Sequence, residues 1–131
     1  MKYNIEGFSQ RKLVEFGLDS VDAIILRWFV DFYATNKMVV LKDENDKEFK
    51  WVNYGAIIED LPILKITNRE VIARRFKKME NCGILEHWTC KNKGTFSCYR
   101  IGDKYNCLIE ENSHYTNKQY DSKVDRGQTQ K

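Results

Sequence analysis

Between Ile66 and Lys93 the chain gathers Asn68, Arg69, Arg74, Lys77, Lys78, Lys91 and Lys93, residue types that bind phosphates and the hydrogen-bonding edges of bases. Guanidinium and ammonium groups clustered in this way gain affinity for a polyanion by displacing its condensed counterions. An amide or guanidinium carried early in a helix can also reach base edges, Arg toward guanine and Asn toward adenine. Recognition, not bond making, is the chemistry on offer. The two histidines are His87 and His114, and the sequence holds no phosphate loop, no H-E-x-x-H, no G-x-S-x-G and no glycine-rich dinucleotide turn. Glu59 and Asp60 adjoin each other, but neighbouring helical side chains diverge by about 100°, so the two do not share a face. No enzyme and no cofactor is expected.

The stretch Ile66 to Glu86 reads as the helix that positions these groups. Thr67 is the expected N-cap, Glu70 completes a capping box, and Gly83 supplies the left-handed residue that ends the helix. Ile72, Phe76 and Met79 recur at i, i+4 and i+7, one narrow stripe facing a core. Away from it point Glu70, Arg74, Lys77, Lys78 and Asn81, with Val71 and Arg75 on one flank and Arg69 and Ala73 on the other. On a helix laid in a major groove, Asn68, Arg69, Ala73 and Arg74 would reach base edges, while Lys77 and Lys78 would meet phosphates. Lys91 and Lys93 would join them from a loop where Gly94 lets the backbone approach the strand. A solvated basic face is the competing reading, and Arg75 could instead pair with an acid such as Glu59 or Asp60.

Charge is unevenly divided along the 131 residues, whose net value is +3. Nine Lys/Arg against eleven Asp/Glu leave residues 1–68 at −2; eight against three bring 69–102 to +5; five against five leave 103–131 neutral. The excess positive charge thus sits in one third of the chain, the pattern of a polyanion binder. A content of 42% hydrophobic and 13% aromatic residues is that of a globular chain, and the length suits one domain with a tail. No apolar run approaches the roughly 20 residues that span a bilayer, and the start MKYNIEGFSQRK lacks the apolar stretch of a secretory signal, so no membrane partner and a cytoplasmic location are expected. Cys82, Cys90, Cys98 and Cys107 contain no C-x-x-C pair; Cys90 and Cys98 could meet His87 across a hairpin, but thiols without a metal are the expected state.

The elements around the basic helix follow from period and punctuation. A short helix is expected from Ser9 to Phe16, ended by Gly17, and a longer one from Val21 to Ala34, capped by Asp19 or Ser20. Ile24, Ile25, Trp28, Phe29, Phe32 and Tyr33 give that second helix a wide apolar face. Met38 to Lys42 and Glu48 to Val52 read as a hairpin about the turn DENDK. Asn53 caps a third helix, Tyr54 to Asp60, which Pro62 stops; the basic helix follows after a short turn. Beyond Gly83 a second hairpin pairs Ile84–Cys90 with Thr95–Ile101 around KNKG. Pairing Cys90 with Phe96 sets Trp88 opposite Cys98, Leu85 opposite Ile101, and Glu86 opposite Arg100 as an ion pair. Leu85, His87, Tyr99 and Ile101 then share one face and Trp88, Cys90, Phe96 and Cys98 the other. One core cannot cover both, so Trp88 and Phe96 are expected to meet the first helix or a second subunit. Past Asp103 apolar periodicity fades. The division is a domain over 1–105 and a flexible tail or linker over 106–131.

Two helices joined by a short turn, the second basic, followed by a hairpin, is the order of a winged helix-turn-helix. The expected fold class is accordingly α+β, mainly α: a winged helix-turn-helix with an additional β-hairpin and a C-terminal tail. The run from Trp51 to Tyr105 resembles the winged-helix domain at the N-terminus of phage replisome-organiser and DnaD-like replication proteins. The similar features are the aromatic-Val-Asn-Tyr start, the IIEDLPIL helix and turn, the basic helix ending in Gly-Ile-Leu, and the hairpin closing in Tyr-Arg-Ile-Gly. That resemblance implies double-stranded DNA binding at an origin or primosome scaffolding, with self-association into a homo-oligomer. Proteins of that kind continue into a second domain that engages replicative helicase or its loader, and nothing after Tyr105 has the content for one. The same module also serves phage transcription regulators, and winged helices without DNA binding act in protein interaction.

Overall fold

The computed structural model describes residues 1–109 of the chain. A small hairpin, β1 (Asn4–Ile5) and β2 (Phe8–Ser9), runs directly into α1 (Gln10–Glu15), which Ser9 caps by accepting from the Lys12 amide at 3.2 Å. The long α2 (Ser20–Ala34) begins with a reciprocal capping box: Asp19 accepts from the Asp22 amide at 2.9 Å and Asp22 from the Asp19 amide at 3.0 Å. Next come β3 (Val40–Lys42), β4 (Glu48–Trp51) and α3 (Tyr54–Asp60), whose cap is Asn53, accepting from the Gly55 amide at 3.0 Å. A single 3-10 turn (Pro62–Leu64) closes on Lys65 at φ +56°, and α4 (Arg69–Asn81), β5 (Leu85–Cys90) and β6 (Phe96–Ile101) follow. Gly83, at φ +85°, turns the chain out of α4 in the left-handed region that a side chain rarely adopts.

The register of β5 with β6 is the one the alternation requires, from Leu85 opposite Ile101 to Cys90 opposite Phe96. The other hairpin is not a separate unit. Lys50 lies opposite Tyr99 and Trp51 opposite Cys98, joining the strands into one antiparallel sheet in the order β3-β4-β6-β5. The protein is thus α+β, its main core lying on one face of this sheet. Ala23, Ile25, Leu26 and Phe29 of α2, Ile57 of α3, Ile72, Phe76 and Met79 of α4, and Leu85 and Tyr99 of the sheet are all buried there. Lys50 is also buried on that side, and its ammonium donates to the Tyr33 carbonyl at 2.9 Å beneath the end of α2, 3.9 Å from the Tyr33 ring centroid. A cation there satisfies a helix-terminal carbonyl and the helix dipole together.

On the other face Phe49 meets Trp88 at 5.6 Å between ring centroids, Trp51 meets Phe96 at 5.6 Å, and Cys98 is buried between the strands. Partial cover for Trp88 and Phe96 therefore comes from β4, not from the first helix as one expectation had it. The expected Glu86–Arg100 ion pair does not form either. Lys47, brought alongside by the joined sheet, takes the Glu86 carboxylate at 2.7 Å, and the Arg100 guanidinium lies 5.8 Å from the Phe49 centroid.

The fold also continues past residue 105. Residues 105–109 are helical (α5), Leu108 is fully buried in the main core, and Tyr105 meets Phe8 edge-on at 6.1 Å. The remainder of the expected tail, 110–131, lies outside the described residues, and His114 with it. Among the described residues no helix is long and apolar enough to cross a membrane.

Candidate nucleic-acid interface

Where α4 starts decides which of its side chains are free. Asn68 is extended (φ −110°, ψ 122°) and its Oδ1 accepts from the Glu70 amide at 2.8 Å, so Asn68 caps the helix and not Thr67. The Thr67–Glu70 capping box is absent as a result. Glu70 stands at the second helical position, one short of the residue whose side chain can reach back to the cap. Asn68, expected at a base edge, thus has its carbonyl oxygen committed to the helix, although its side chain remains exposed.

Arg69 is exposed and its guanidinium lies over α3 where Gly55 has no side chain; a Cβ there would stand 2.6 Å from Nη2. Arg74 and Lys77 are exposed on successive turns of α4, and Ala73 between them is half-buried. Between this side of α4 and the hairpin β5–β6 runs a cleft of ≈ 400 Å³, lined by Tyr54, Glu70, Ala73, Arg74, Lys77, Glu80, His87, Ser97 and Tyr99. The Tyr54 and Tyr99 hydroxyls meet there at 2.7 Å, and burial raises the Tyr99 pKa well above the ordinary phenolic range. His87 stacks on Tyr99 at 4.6 Å with its plane tilted by 22°; burial lowers its pKa against the pull of Glu80, whose carboxylate is 3.7 Å from Nδ1. Lys77 stands 3.7 Å from the same carboxylate. His87 and Ser97 from the hairpin and Tyr54 from the start of α3 meet at the cleft through long-range packing, which no local pattern announces. At the hairpin turn Lys91 and Lys93 are exposed, Lys93 holding φ +58°.

The other flank of α4 has a structural task. Arg75 Nη1 donates to Asp19 at 2.8 Å and to Asp22 at 3.0 Å, and Lys78 pairs with the second oxygen of Asp22, whose side chain is fully buried. The partners of Arg75 are therefore the acids that start α2, not Glu59 or Asp60; the Asp60 carboxylate instead accepts from the Trp28 indole at 2.8 Å. Lys78, expected at a phosphate, is drawn to the same buried carboxylate one turn along. A buried charge needs compensation, and these two cations are the ones within reach.

This network makes folding sensitive to acid. Burial works against ionisation of Asp19, but the Asp22 amide and then the Arg75 guanidinium outweigh it and hold its pKa at about 2, below the ordinary 3.8. Because the folded-state value is the lower one, the stabilisation is complete above pH 3.8 and is lost as pH falls toward 2. Asp19→Asn is expected to flatten that part of the stability profile while lowering stability at neutral pH, as read by unfolding midpoints across the acid range. An unaltered acid limb would show that the Asp22 amide and Arg75 do not hold the Asp19 carboxylate in this way.

Comparisons of the chain with protein-family models, with curated proteins and with solved structures each return no match.

Proposed function

We propose that this chain is a winged-helix DNA-binding domain of phage-type replication initiation, acting in origin binding or primosome scaffolding, with α4 entering the major groove of a duplex. The observation that supports it most is the placement of Arg74 and Lys77, exposed on successive turns of α4 and facing a cleft whose far wall is the hairpin bearing Lys91 and Lys93. A phosphate strand held between helix and hairpin would meet cations from both sides, with Arg69 near the start of the helix. The order α3, 3-10 turn, α4, hairpin supports the winged-helix assignment. Self-association belongs to the same reading, through the aromatic face of the sheet around Trp88 and Phe96.

Arg74→Ala with Lys77→Ala is the test. Loss of one base-edge contact and one phosphate contact is expected to weaken binding to a fluorescent duplex roughly tenfold or more at low salt, and to reduce the slope of log affinity against log salt by about 0.9. Thermal stability should hardly move, since both side chains are exposed. Equal affinity in the double variant and the parent would sink the proposal. A protein-interaction role is favoured by one feature: within the cleft Glu70 and Glu80 balance Arg74 and Lys77. Salt separates the two readings, because only phosphate binding weakens linearly in that plot.

A further inference from the structure

We propose that Glu70 reads sequence, accepting a hydrogen bond from the exocyclic amino group of a cytosine in the major groove; this rests on duplex DNA being the ligand of α4. Beyond its place in the first turn, where a negative charge favours the helix dipole, the carboxylate is not tied to any other side chain among the described residues. Its expected capping box is absent, and among the described residues no ion pair or side-chain hydrogen bond engages it, although Arg74 stands one turn along. Several other acids nearby have charged or donor partners: Glu80 lies 3.7 Å from Lys77, and Asp22 is held by Arg75 and Lys78, Asp60 by Trp28 and Glu86 by Lys47.

Position and charge then limit what Glu70 can meet. It is exposed in the first turn of α4 and lines the cleft beside Arg74, in the part of a recognition helix that touches bases. A carboxylate aimed at phosphates is repelled, so on a duplex-binding surface it is favourable only opposite a donor. The major groove offers two, the cytosine N4 and adenine N6 amino groups. Adenine sets the N7 acceptor beside its amino group, which suits an amide side chain that donates as well as accepts. Cytosine has no acceptor of its own beside N4, and a carboxylate fits it. Arg74, on the same side of the helix, supplies the donors that guanine O6 and N7 require. The pair Glu70 and Arg74 thus fits a site containing adjacent cytosine and guanine.

Selection of bound duplexes from a randomised pool, run with the parent, Glu70→Ala and Glu70→Gln, tests this. The parent is expected to favour cytosine at one position by roughly tenfold over other bases. Glu70→Ala should bring that position to near parity and bind random duplex at least as tightly, because a repulsive charge is gone. Glu70→Gln should move the preference toward adenine. If Glu70→Ala keeps the parent's preference at every position and loses only thermal stability, Glu70 serves the helix dipole and the assignment is overturned while duplex binding stands. If the parent itself enriches no duplex above a salt-insensitive background, the assignment falls together with the reading beneath it.

Discussion

Phe76→Ala is expected to lower the unfolding free energy by about 3–5 kcal/mol, a large share of the roughly 5–15 kcal/mol that holds a domain of this size together. The ring is fully buried and touches three others: Tyr99 at 4.7 Å, Tyr54 at 5.7 Å and Phe29 at 6.0 Å between centroids. Those partners belong to the sheet, α3 and α2, so the void left by alanine borders three elements at once and none can close it without moving away from another. In a thermal scan the midpoint should fall by roughly 15 °C or more. A fall of only a degree or two would mean that α4 does not pack as described.

Asp22→Ala comes next, with an expected loss of roughly 3 kcal/mol, the lower end of the range for breaking a buried ion pair. The lower end applies because Arg75 and Lys78 keep side-chain exposures of 24% and 43%, so water compensates them in part once the carboxylate is gone. The variant also loses one half of the capping box at the start of α2, the bond from the Asp19 amide. Chemical denaturation reads the loss, and Asp22→Asn, which keeps an acceptor without charge, should fall between the two. On the duplex-binding reading, the folded fraction of either variant should bind no more weakly than the parent, since Arg75 and Lys78 are released rather than removed. Equal stability of Asp22→Ala and the parent would count against the network.

Much of this architecture was legible in the residues because it is local. The Asn53 cap, the length of α3, the core stripe of α4 and the six-pair register of β5 with β6 all follow from periodicity, capping and turn chemistry within a few residues. The start of α4 was misplaced by one residue because Thr67 and Asn68 are both competent caps. The choice between them is made by how the chain leaves the 3-10 turn through Lys65 in its left-handed conformation. Long-range choices were not legible. Nothing in the sequence of β4 says that it will pair with β6, and that pairing removes Glu86 from Arg100 and gives Trp88 and Phe96 their ring partners. Arg75 and Asp22 are likewise 53 residues apart, so only the packing of α2 on α4 reveals that two of the five cations of the basic helix are committed to stability. Leu108 went unseen because apolar periodicity fades after Asp103 and its place in the core is set by long-range packing.

The insertion of β4 beside β6 has a mechanical result. A hairpin held by its own two strands can swing about its base, but β6 is an interior strand, hydrogen-bonded on both sides. The angle between the hairpin arm and α4 is then set when the protein folds rather than when it meets a ligand. On the duplex-binding reading, tip and helix would work like the jaws of a locked calliper, refusing a target of the wrong width instead of embracing it.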